Sequence, residues 1–250
     1  MKNETIKFPN KLDFFTPYHL EEIAGKITGM QGITVVFEDL RPFNFCAFVD
    51  MVKKKIYLPI KETPDPIETD FLQQTKALLY HECAHLMYPD NSASFSRYAN
   101  QREKWAYELS KTIDDLRIEY LISLLHKDIR KDFKYLIESY WLENYIVPPI
   151  NDNEVGNGRF GNYSEDLFGS LYWILQKWYR GAELTPPPGC RKILPFIPIF
   201  GMELFLEKCL IPLMDPFISS REPAWEAALK IVDLLIKYYP RCFQKKFFKE

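Results

Sequence analysis

Two imidazoles and a carboxylate stand at the spacing one metal ion needs in the stretch His81-Glu82-Cys83-Ala84-His85. On a helix, residues four apart lie one above the other on the same face, so both rings can reach the same ion. Glu82, one position on from the first ring, then leans over the open coordination position, where it can act as a general base towards a water. Histidines on an apolar helix face are ordinarily core residues that have found a hydrogen-bond partner. A pair at i and i+4 with glutamate between them, in a chain whose other histidines are His19 and His126 only, reads instead as a ligand pair. The context is helical. Asp70 with Gln73 has the form of a capping box, with Thr69 or Asp70 as N-cap, and Pro89-Asp90-Asn91 ends the segment. Cys83 lies between the two histidines but points off their face, which predicts packing rather than ligation.

A catalytic zinc ion is held by three protein ligands and keeps a fourth position for water, so one ligand is still to be found. The extended pattern with glycine three residues and histidine six residues after the second histidine is absent, because Tyr88 and Asn91 occupy those places. The ligand must come from a following helix, and the acids of Thr112 to Glu119 are the candidates. Stepping about 100° per residue places Trp105, Leu109, Leu116, Tyr120 and Leu124 in one apolar sector. Glu108, Thr112, Asp115 and Glu119 fall at a margin of that sector, whereas Asp114 lies well round towards the outside. Asp115 is therefore the predicted third ligand. Glu119, one turn on, is predicted to accept a hydrogen bond from a liganded imidazole and so fix its tautomer. His126 is a rival ligand, but eleven residues beyond Asp115 it is about 16 Å further along the helix, so only one of the two can serve. Without the metal motif, Asp115, Arg117 and Glu119 would read as exposed helix charges.

The elements that must position these groups can also be read. Thr16-Pro17 is a cap followed by proline at the first helical position, and the helix should run through Leu20, Ile23 and Ile27 to Gly29. Residues 33–37, 45–49 and 55–58 are rich in β-formers, and Asp50 to Lys54 suits a hairpin between the last two. Ile56-Tyr57-Leu58 is the candidate edge strand for pairing with an extended peptide. Helices are expected over 103–126, 128–145, 164–179, 200–210 and 223–239, with a polar loop over 148–161 and a rigid connection at Pro186 to Gly189. The fold class expected is α+β and zincin-like: a small N-terminal sheet, then the metal-motif helix, then a mostly helical C-terminal half. Residues 1–126 would form the core and 127–250 a helical subdomain.

At this point a resemblance becomes specific. Lys55-Ile56-Tyr57-Leu58-Pro59, then Tyr80-His81-Glu82-Cys83-Ala84-His85-Leu86-Met87-Tyr88-Pro89-Asp90, then Asp114-Asp115-Leu116-Arg117-Ile118-Glu119 together resemble one family. The chain is similar over roughly residues 30 to 125 to the gluzincin-like metallopeptidase domains of phage and bacterial proteins related to the cobaltochelatase CobT subunit. The resemblance implies a zincin fold with His81 and His85 as zinc ligands, Glu82 as base and an acid of the second helix as third ligand. The acidic pair is Asp114-Asp115 where the family usually has Glu-Asp, and no von Willebrand factor A-type metal motif follows residue 125.

Composition narrows the remaining choices. A net charge of −2 gives no electrostatic footprint for nucleic acid, and no apolar run is long enough for a membrane span. Five scattered cysteines without a CxxC pair argue for free thiols in a reducing compartment, and the N-terminus lacks a secretory signal, so a soluble cytoplasmic protein is expected. The function expected is a zinc-dependent metallopeptidase acting on a peptide or protein substrate. The oxyanion would take a donor from Tyr88, Tyr135, Tyr140 or Tyr163. The competing reading is a non-proteolytic zincin-fold binding or assembly module, with Trp141, Trp173, Trp178 and Trp225 in the helical C-terminal half facing a protein partner.

Overall fold

A computed structural model describes residues 16–40, 47–60, 68–89, 101–145, 175 and 222–238. The expected helices over 164–179 and 200–210, the loop over 148–161 and the connection at 186–189 lie outside the described residues, apart from Leu175, which is helical and buried. The described elements make an α+β fold of one small sheet and otherwise helices. The chain divides into two compact units, residues 1–91 with 117–136 and residues 92–116 with 137–250.

In the first unit, helix α1 (Pro17–Thr28) starts and stops where its sequence dictates. Thr16 is extended at φ −96°, and its hydroxyl oxygen accepts from the backbone N–H of His19, satisfying one of the orphan amides of the first turn. Gly29 closes the helix at φ +70°, a left-handed conformation in which a Cβ is strained, and its N–H bonds Gly25 O at 2.9 Å. Leu20, Ile23, Ala24 and Ile27, at helical spacing, are the buried stripe.

The sheet has three strands, β1 (Thr34–Glu38), β2 (Phe48–Asp50) and β3 (Lys55–Pro59), in the order β1-β3-β2. β1 pairs parallel with β3, Val35 opposite Ile56, and β2 pairs antiparallel with β3, Val49 opposite Ile56. β3 is therefore the central strand, and the expectation that Ile56-Tyr57-Leu58 forms an edge is corrected. A hairpin occupies only one side of β3, and β1 returns in parallel on the other, which local sequence does not signal. β2 also starts later than expected: Ala47 precedes it and it ends on Asp50, while residues 45 and 46 lie outside the described residues. Asp50 shapes the turn that follows. Its carboxylate accepts from Lys53 N–H at 2.9 Å, which holds its pKa below the usual value, and Lys54 takes φ +50°. Phe48 stacks on its cross-strand partner Tyr57 with ring centroids 4.3 Å apart.

Helix α2 (Glu68–Met87) carries the metal motif. It already contains Thr69 and Asp70, so neither is its N-cap. The core of this unit joins α1, the sheet and α2 through Leu20, Ile23, Val35, Ile56, Leu79 and Cys83, and continues into Ile118, Ile122, Ile129 and Phe133. Full burial of a leucine or isoleucine contributes about 1.5–3 kcal/mol, so this apolar cluster is what holds α2 in place. α3 (Gln101–Leu125) is one uninterrupted helix that contributes to both units, and α4 (Ile129–Tyr145) follows after a short turn. In the second unit, α5 (Glu222–Tyr238) buries Ala224, Ala227, Ala228, Ile231 and Val232, and Asp233 receives a two-pronged contact from Arg102 at 2.5 and 2.6 Å. Among the described residues, no helix is long and apolar enough to cross a membrane.

Candidate metal centre

His81 and His85 lie in the C-terminal part of α2, His85 in its last turn. The four-residue spacing sets the rings edge to face with centroids 4.8 Å apart, and brings the two Nε2 atoms to 3.2 Å. Two nitrogens bound at 2.0–2.1 Å on a tetrahedral ion would be about 3.3 Å apart, so the pair stands at ligand spacing. Two lone pairs at this distance repel unless a proton or a cation lies between them.

The outer nitrogen of His81 is also engaged. Its Nδ1 lies 2.8 Å from Glu119 Oε1, and Glu119 is buried. With the carboxylate accepting from Nδ1–H, Nε2 is left with its lone pair facing His85. Asp115, one turn before Glu119 on the uninterrupted α3, completes the group: one ligand atom from each of His81, His85 and Asp115 lies within 4.8 Å of the others. Two imidazole nitrogens and one carboxylate oxygen are a donor set suited to zinc and to several other divalent first-row metals. Glu82 is buried at 3% exposure beside His81 on α2.

The structure differs from the sequence reading in the neighbours of this set. Asp114, expected to face outwards, is 2% exposed; Leu124, assigned to the apolar sector, is 49% exposed; and Arg117 is fully buried. From Ile113 to Ser123 every residue of α3 except Asp115 and Tyr120 is buried, so this stretch has no outward face and a single-sector projection cannot rank its acids. His126, the rival ligand, is placed elsewhere, its ring against Tyr80 at 5.2 Å between centroids. Burial lowers the His126 pKa from its ordinary value and pushes the Tyr80 hydroxyl far up. Cys83 is a free thiol buried in the core, its pKa well above the ordinary value through desolvation.

Of the tyrosines considered as oxyanion donors, Tyr88 follows α2 directly, and burial raises its hydroxyl pKa with Arg117 acting in the opposite sense. Tyr163 and the side chain of Tyr140 lie outside the described residues, as do the side chains of Trp141, Trp173 and Trp178.

Sequence reasoning missed a second polar cluster, at the other end of the same helix. Asp132 of α4 is buried, accepts from Gln73 at 3.1 Å and lies 2.6 Å from the Lys76 ammonium, a contact that is an ion pair rather than a well-angled hydrogen bond. The signal was faint, since only the spacing of Gln73 and Lys76 on one edge of α2 hints at a shared partner. Compared with known proteins, the chain matches no family model, no curated protein and no solved structure.

Proposed function

We propose that the chain is a zinc-dependent metallopeptidase with a zincin-like core, acting in the cytoplasm on a peptide or protein substrate. The observation that carries this reading is the convergence of His81, His85 and Asp115 within 4.8 Å, with a glutamate following the first histidine. His81, His85 and Asp115 would hold the ion, and Glu119 would keep His81 in the tautomer that leaves Nε2 free to bind. When bound, a zinc-type cation supplies Lewis acidity and moves the ionisation of a water towards neutral pH. The remaining work belongs to the chain. Glu82 takes a proton from the attacking water and passes it to the leaving amine nitrogen. Its burial keeps that carboxylate out of bulk solvent, so the proton it collects stays in the site. The resemblance to the gluzincin-like domains related to the cobaltochelatase CobT subunit supports the same assignment of roles.

The test combines metal content with turnover. Elemental analysis of the purified chain should give one transition-metal ion per molecule, and denatured protein substrates should be cleaved in a chelator-sensitive manner. Glu82→Gln should retain the ion and lose activity by about 10²- to 10⁴-fold. Undiminished cleavage by that variant removes Glu82 from the reaction, and a metal-loaded wild type that cleaves nothing leaves the binding-module reading in its place.

A further inference from the structure

The last turn of α2 carries His85, yet the helix cannot close that turn by itself. Tyr88 N–H reaches Ala84 O at 2.9 Å, but the next amide, which would bond the His85 carbonyl, belongs to Pro89 and has no hydrogen. Carbonyls at a helix end are met by groups from outside the helix. Arg117 of α3 reaches that turn. Its Nη2 donates to Tyr88 O at 3.5 Å, and among the described residues its side chain is the largest of those with essentially no exposure. A guanidinium is costly to desolvate, so its burial must be offset by what it touches. A cation at the C-terminal end of a helix meets the partial negative charge of the terminal carbonyls. Arg117 belongs to the same continuous helix as Asp115 and Glu119, so whatever it grips is tied to the helix that bears them.

We infer that Arg117 is a positioning residue: by clamping the end of α2 to α3 it holds the turn that carries His85 against the helix that bears Asp115 and Glu119. The inference rests on the metal-centre reading above. Its role is to set metal affinity and coordination geometry without touching the ion.

Cobalt(II) tests it, because the visible d–d bands report coordination geometry directly. The full chain, Arg117→Met and Arg117→Lys are each titrated with cobalt against a competing chelator, with circular dichroism confirming the fold. Arg117→Met should bind cobalt at least about 10-fold more weakly, as substitutions just behind metal ligands commonly do, with shifted d–d bands. Arg117→Lys, which keeps the charge but loses the planar fork, should fall between the two. An Arg117→Met protein that melts earlier yet keeps wild-type affinity and spectrum makes Arg117 an ordinary core residue and overturns the inference. Should Arg117→Met not fold, wild-type affinity and spectrum in Arg117→Lys overturn it equally. A wild-type chain that takes up no cobalt defeats the metal-centre reading itself, which is a separate result.

Discussion

At one end of α2, Gln73 and Lys76 meet Asp132 of α4; some two turns further along the same helix, His81 and His85 meet Glu119 and Asp115 of α3. Both clusters bury a carboxylate, and both draw their groups from helical spacing. They differ in how charge is met. At the first, a lysine supplies the cation as part of the chain, and the carboxylate is matched when the protein folds. At the second, Glu119 takes up the outer nitrogen of His81, and the inner nitrogens of both rings are turned towards each other at 3.2 Å. The first arrangement is complete as a structural joint. The second gathers donors that could hold a cation, which is what the proposed metal centre asks of it.

Substitutions at the two ends of α2 should act on different properties of the protein. Glu119→Gln should weaken zinc binding by about 10- to 100-fold while leaving the thermal stability of the metal-free chain nearly unchanged, because glutamine can still accept from His81. Chelator competition measures the first quantity and calorimetry the second; equal zinc affinity in the variant would make Glu119 a bystander. Asp132→Ala should do the reverse. It removes the carboxylate that Gln73 and Lys76 meet and should cost about 2 kcal/mol of stability by denaturant titration, a figure kept low because Lys76 reaches solvent, with zinc affinity unaltered. A loss of zinc affinity in Asp132→Ala would erase the distinction drawn between the two clusters.

The smallest effect concerns pH. Burial holds the His126 ring below its ordinary 6.5. The unfolded chain binds that proton near pH 6.5, whereas the native chain does so only at lower pH. Stability should therefore fall as pH drops below about 6.5 and level off beneath the native value. His126→Gln should flatten this limb in a series of melting curves, and an unchanged slope would assign the effect to other groups.

How far the sequence could be read depended on how many sides of an element are covered. α1 has one buried stripe, and its cap, proline and terminal glycine mark both ends, so its limits and inward residues follow directly. The two histidines and Glu82 were legible because their spacing is local to one helix. Asp115 is singled out in sequence by its place at the margin of an apolar sector, an argument that loses its footing, with the exclusion of Asp114, because α3 is buried on nearly all sides. β3 was misplaced for a related reason: its parallel partner β1 lies some twenty residues away, and no turn residue announces a non-local pairing. Arg117 and Asp132 look like any helix charge until the third dimension removes their water.

Cys83 sits two residues from each histidine and is sealed in the core, its thiol held protonated by the absence of solvent. Soft thiolates are the strongest competitors for a zinc-type ion, and a sulfur so close in sequence would otherwise capture it in a non-catalytic geometry. Facing it inwards keeps that competitor in its uncharged form, which leaves the proposed centre to nitrogen and oxygen donors alone.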